Sequence, residues 1–226
     1  MATKAKNKRA IDREIKNTIF NDTERFELWF AANWRKLSIA AVAAAAIVAV
    51  VFGINAAQRS ADRKAAAEFA DAANADELAA AIAKNDDRPG VQLARYRLAS
   101  MQLEAGKTDA AIKELNLIAA DSNCDPALRS KALLTISYVQ EKNGKIAEAA
   151  AGFKAIFDNT AFAAATRSEA GFAAGRNLLA LGKADEATNI LRRTSEMKAP
   201  GMTGGYWSAA AGDLLRAVEN GEIKKK

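Results

Sequence analysis

From Leu37 to Ile54 the chain reads LSIAAVAAAAIVAVVFGI, 18 residues without a charge. As a helix rising 1.5 Å per residue this run is about 27 Å long, close to the hydrocarbon thickness of a bilayer. A single transmembrane helix is therefore expected over 37–54. Beyond it the apolar positions recur with a helical period, and no stretch alternates as a strand would. A helical continuation is expected from about Gln58 to Ala73 and a short helix over Asp76–Lys84, followed by a break at Asp86-Asp87-Arg88-Pro89-Gly90. The closing segment Ala199-Pro200-Gly201-Met202-Thr203-Gly204-Gly205 reads as a loop before a helix from about Tyr206 to Asn220.

Between the break and the closing segment one pattern appears three times. Leu98-Ala99 precedes Gly106-Lys107 and Ala110-Ala111-Ile112-x-x-Leu115. Ile136-Ser137 precedes Gly144-Lys145 and Glu148-Ala149-Ala150-x-x-Phe153, and Ala174-Gly175 precedes Gly182-Lys183 and Glu186-Ala187-Thr188-x-x-Leu191. The three turn glycines are 38 residues apart each time. A fixed period of this size marks a stack of helix pairs, in which no pair can bury its apolar face alone. Glycine ends the first helix of each pair because it adopts the left-handed backbone readily.

Charge alters the picture of partners. The net +6 suggests nucleic acid until it is divided along the chain. Residues 1–36 hold nine basic and five acidic residues, net +4, and Lys224 to Lys226 add three more positive charges. The remainder holds 21 basic against 22 acidic residues. A phosphate-tracking groove needs its excess on the folded part, so no nucleic-acid partner is expected. Trp29, Phe30 and Trp34 followed by Arg35 and Lys36 form an aromatic and cationic belt before the apolar run, and these five are the expected membrane-interface residues. Flanking cations tie across the run, but the whole N-terminal tail carries nine, which places the N-terminus in the cytoplasm and the later domain across the membrane. A buried helix of a soluble protein and a cleaved signal peptide are the rival readings; against the second, the long preceding segment and the lack of a clean small-x-small site favour an anchor. Within the tail, Ile11, Ile15 and Ile19 are spaced as one stripe of a short amphipathic helix, and Asn21 with Glu24 reads as a helix cap.

The residues offer little chemistry. There is no histidine, which removes the usual general base and zinc ligand. Cys124 is alone and cannot close an internal disulfide; it is expected to be a small residue in an inter-helix loop. Asp109, Glu148, Asp185 and Glu186 fall at helix starts, where the helix dipole favours a negative charge. The Gly-Lys pairs lack the rest of a phosphate loop. No enzyme, metal or cofactor is expected. A stacked array does offer a concave groove, and the repeat places Tyr96, Leu134, Tyr138, Phe172 and Arg176 along it. The competing expectation for each is packing between neighbouring helices.

The three-fold pattern resembles the tetratricopeptide repeat in its Leu-Gly/Ala pair, its turn glycine, the alanine five residues later and the large apolar residue four further on. It departs at the family's tryptophan position, held by Arg95, Leu133 and Gly171, and at its tyrosine position, held by Gln102, Gln140 and Leu178. With the apolar run before it, the expected fold is all-α: one N-terminal transmembrane helix followed by a tetratricopeptide-like α-solenoid. Its expected parts are a basic tail (1–36), the span (37–54), a helical connector (55–90) and the repeats with a capping helix (91–226). This layout looks like the YfgM-type ancillary subunits of the SecYEG translocon. Membership implies a bacterial inner-membrane protein with its repeats in the periplasm. Its partners would be the export channel, periplasmic chaperones and exported clients. The alternatives are a self-associating scaffold for envelope or cell-division machinery, hence a homo-oligomer, and a cytoplasm-facing membrane adaptor.

Overall fold

A computed structural model of the chain describes residues 22–198 and 201–222. The expected tail helix at Ile11, Ile15 and Ile19, the cap at Asn21, the Ala199-Pro200 pair and Lys224 to Lys226 lie outside the described residues. Every element among the described residues is an α-helix. They are α1 (Asp22–Asp71), α2 (Ala75–Lys84), α3 (Val91–Glu104), α4 (Thr108–Ala120), α5 (Pro126–Lys142), α6 (Ile146–Asp158), α7 (Ala164–Ala180), α8 (Ala184–Ser195) and α9 (Gly201–Glu219). The chain divides into two compact units between Ala61 and Asp62, inside α1.

In the first unit α1 runs through the apolar stretch without a break. Its 50 residues contain no proline and one glycine, Gly53, so nothing stops the helix between the apolar run and the helical continuation expected from about Gln58. The most apolar window of this helix has a mean hydropathy of 2.7, and none of it is covered by other parts of the chain. It is long and apolar enough to cross a membrane, as a single-pass anchor or a signal sequence would be.

The second unit begins with the end of α1. Ala65, Phe69 and Ala72 pack with Leu78 and Ile82 of α2 and with Val91, Ala94 and Leu98 of α3. Arg97 reaches back from α3 and donates to the carbonyl oxygens of Phe69 (2.8 Å), Ala70 (3.3 Å) and Ala72 (2.8 Å). Those carbonyls are orphans of a helix end, and a cation there also opposes the dipole.

Three helix pairs then follow, α3–α4, α5–α6 and α7–α8, and the 38-residue period holds down to single bonds. Gly106, Gly144 and Gly182 have φ of 72°, 76° and 74°. At each, the glycine N–H donates to the carbonyl three residues back and the following lysine N–H to the carbonyl five back: Lys107 to Gln102, Lys145 to Gln140, Lys183 to Leu178, at 2.8–2.9 Å. This paired arrangement closes the helix ends that would otherwise expose carbonyls. Five residues on, Ala111, Ala149 and Ala187 have no exposed surface, and neither do Leu115, Phe153 and Leu191 four beyond them. The small residue admits the neighbouring helix closely and the large one fills the space beside it.

The last helix covers the end of the stack through Ala211 and Leu215 against Leu191. It starts at Gly201 rather than near Tyr206. Gly204 is buried there, and its carbonyl lies 3.5 Å from the Ser168 hydroxyl of α7. Close packing against α7 thus outweighs the helix penalty of about 1 kcal/mol that glycine carries.

Candidate functional site

The row of first helices α3, α5 and α7 carries the five residues assigned to a groove. Tyr96, Leu134 and Phe172 occupy one repeat position, and Tyr138 and Arg176 another, each one period apart. All five make contacts within the stack. The Tyr96 hydroxyl is 3.1 Å from Thr135 Oγ1 on α5, and Lys131 Nζ lies 5.0 Å from the centre of its ring. Tyr138 donates to Glu169 Oε1 on α7 at 2.8 Å and stands edge-on to Phe153, with ring centres 4.8 Å apart. Arg176 Nη2 donates to both carboxylate oxygens of Glu141 at 2.6 and 2.8 Å, and its guanidinium lies 5.9 Å from the Phe172 ring centre. Phe172 meets Trp207 of α9 at 5.3 Å.

Their exposure separates them. Leu134 is buried in the core with Phe153 and Ala170, so it stabilises the stack and offers little to a visitor. Tyr96, Tyr138 and Phe172 are half-buried, and Arg176 is exposed. The row therefore presents half-covered rings among charged groups that already make contacts within the stack. Burial, and then the hydrogen bond to Glu169, hold the Tyr138 phenol well above its ordinary pKa. A surface of this kind suits apolar and aromatic contact more than capture of a charged group.

Sequence reasoning did not find Thr135, Glu141, Glu169 and Trp207, which complete these contacts. A signal for the first three was present. Partners across consecutive first helices are separated by 39 (Tyr96–Thr135), 35 (Glu141–Arg176) and 31 residues (Tyr138–Glu169), one period offset by up to two helical turns.

On α1, Trp29, Phe30 and Trp34 are each about half exposed, as is Phe26. The Arg35 guanidinium lies 5.8 Å from the Trp34 ring centre, and the Trp34 carbonyl accepts from Ser38 Oγ at 2.8 Å. Lys36 follows directly. Phe26, Trp29, Phe30 and Trp34 fall on one side of the helix by their spacing of three and four.

Acidic residues sit where a structural role accounts for them: Asp109, Glu148, and the pair Asp185 and Glu186 lie in the first turns of α4, α6 and α8. No group of three or more His, Cys, Asp or Glu that could hold a metal ion occurs among the described residues. Cys124 lies in a loop, yet it is buried against the core of α3, α4 and α5. Burial first, then Asp121 and Asp125, push its thiol pKa up, which makes it a poor nucleophile. In comparisons with known proteins, no family model, no curated protein and no solved structure matches this chain.

Proposed function

We propose that the chain is a membrane-anchored protein–protein interaction module without catalytic activity. In this reading α1 holds it in a bilayer through residues 37–54, and the row of α3, α5 and α7 receives segments of other proteins. One observation carries the proposal: an uncovered apolar helix of membrane-crossing length shares a chain with a stack whose first helices carry half-buried aromatic rings at Tyr96, Tyr138 and Phe172. On a helix upright in the bilayer with Leu37 at the hydrocarbon edge, Trp34, Arg35 and Lys36 fall in the headgroup layer, within about 5 Å of that edge. Phe30 and Trp29 then lie roughly 10–12 Å out, beyond that layer.

The finer reading is a tetratricopeptide-like, YfgM-type ancillary subunit of the export channel, with a cytoplasmic N-terminus and periplasmic repeats. The thrice-repeated turn and the buried Ala–large apolar pairs support the repeat assignment. Photocrosslinking from positions within 37–54 in cells, read by mass spectrometry, tests the partner. Channel subunits among the products are expected; crosslinks only to further copies of the chain would favour a self-associating scaffold instead. A C-terminal alkaline phosphatase fusion tests the side of the membrane, and activity is expected.

A further inference from the structure

The turn that closes α3, α5 and α7 occurs a fourth time, at the end of α9. Gly221 has φ of 75° there. Its N–H donates three residues back to the Val218 carbonyl at 3.2 Å, and the Glu222 N–H donates five back to Ala217 at 3.0 Å. Two of the four turns have asparagine before the glycine, Asn143-Gly144 and Asn220-Gly221, where the others have Ala105 and Leu181. Both asparagines and both of their glycines are exposed.

Asparagine before glycine carries a chemistry of its own. The glycine's backbone nitrogen can attack the asparagine Cγ, because glycine has no Cβ to shield it. A bond forms from that nitrogen to Cγ, the Cγ–Nδ2 bond breaks, the glycine nitrogen gives up its proton and ammonia leaves. Water then opens the five-membered imide at either carbonyl. The products are aspartate and its β-linked isomer, with no change in oxidation state.

The folded turn opposes the first step. Ring closure needs the asparagine Cβ in line with the glycine nitrogen, whereas Asn143 is held with ψ of 9°. The Gly144 N–H is also already given to the Glu141 carbonyl at 2.9 Å. The turn must therefore open first, and the two turns differ in what opening disturbs. α6 starts at Ile146, directly after Gly144 and Lys145, and buries Ala149, Ala150 and Phe153. Opening there pulls on a helix seated in the core. Beyond Gly221 the described residues hold only Glu222, which is exposed. Opening this turn unwinds just the end of α9, and helix ends fray at little cost. Asn220 also has its carboxamide turned along the chain, where Nδ2 donates to Glu222 Oε1 at 3.3 Å.

We infer that Asn220 is a site of spontaneous deamidation in the folded protein, through attack by Gly221, and that the seating of α6 spares its counterpart Asn143. This is independent of the interaction-module reading. The product places a carboxylate at the C-terminal end of a helix, where the dipole disfavours it. The β-linked form adds a carbon to the main chain, which breaks the register of the bonds to Val218 and Ala217. Val218 is buried against the stack, so conversion loosens the last turn of the helix that covers it.

The test ages the full-length chain at mildly alkaline pH, folded in lipid nanodiscs and, in parallel, unfolded in denaturant with detergent. Tryptic peptides cover Asn220, and glutamyl-endopeptidase peptides cover Asn143. Mass spectrometry follows replacement of the amide nitrogen by oxygen, and fragmentation identifies the β-linked isomer. Each asparagine's rate in denaturant, divided by its rate in the folded protein, gives its protection by the fold. Protection of Asn143 should exceed that of Asn220 at least tenfold, a difference in opening free energy of ~1.4 kcal/mol. β-Linked aspartate should accumulate at position 220 in the folded chain. Equal protection of the two would overturn the inference. So would a folded chain in which Asn220 stays intact over the time that converts it in denaturant. Conversion that persists in Gly221→Pro, whose nitrogen has no proton to release, would remove Gly221 as the attacking group and overturn it as well.

Discussion

Gly171 of α7 lies against the face of Phe157 of α6: a carbon added at the glycine's Cβ position would be 2.7 Å from Phe157 Cδ2 and would also collide with Thr194 Oγ1. Phe157 is 1% exposed and has the Arg193 guanidinium 4.6 Å from its ring centre, so it has no room to retreat. One repeat earlier the equivalent residues are Leu133 and Ala119. The bulk has changed sides between repeats. This accounts for the absence of a large residue at position 171.

Gly171→Ala would gain up to about 1 kcal/mol of helix propensity, but overpacking a full core costs typically 1–3 kcal/mol. Net destabilisation is expected. Gly171→Leu should be worse alone, and Phe157→Ala alone should cost about 3–5 kcal/mol. Combined, the two relieve the clash with Phe157, though not the one with Thr194, and should recover roughly 0.5–3 kcal/mol relative to their sum. Denaturant unfolding followed by circular dichroism measures the cycle; strict additivity would contradict the packing account.

Tyr138 makes stability depend on alkaline pH. Burial, then the hydrogen bond to Glu169, raise its pKa in the folded chain, with Glu141 adding to the effect and Arg176 opposing it. Above about pH 10, the ordinary tyrosine value, the unfolded chain releases this proton while the folded chain keeps it. The folded state then binds more protons, and stability falls as pH rises. Tyr138→Phe should cost about 1–2 kcal/mol at pH 7 through the lost hydrogen bond to a charged group. Its disadvantage should shrink between pH 9 and 11. Melting curves of both proteins across that range check the sign, and a constant gap would be the contrary result.

Cys124 should report on opening of the stack. It is buried, and that burial raises its pKa, so iodoacetamide should leave it unmodified in the native protein and label it fully in denaturant. Mass spectrometry after timed exposure decides this. Rapid native labelling would show that the loop before α5 is not seated as described.

The repeat was legible because its signals are local or periodic. Glycine at 106, 144 and 182 forces the turn, and the small and large residues that follow keep their spacing. The helix ends that were misread depend on tertiary context. Gly201 to Gly205 looks like a loop by composition, yet burial of Gly204 holds it in α9. The continuation from Gln58 was legible, because no breaker separates it from Ile54 and α1 runs through. The five residues assigned to a groove lie on α3, α5 and α7, but composition could not say which would be buried. Leu134 and Tyr138 differ in exposure because of what α6 and α7 bring against them.

Two claims meet in the apolar segment of α1, whose surface no other part of the chain covers. Alkaline carbonate extraction of membranes from cells expressing the full-length chain, beside a version lacking residues 37–54, tests them together. The full chain should remain in the membrane pellet, and the shortened chain should appear in the soluble fraction with an all-helical circular dichroism spectrum. Release of the intact chain by carbonate, or its recovery as a soluble monomer without detergent, would contradict the account.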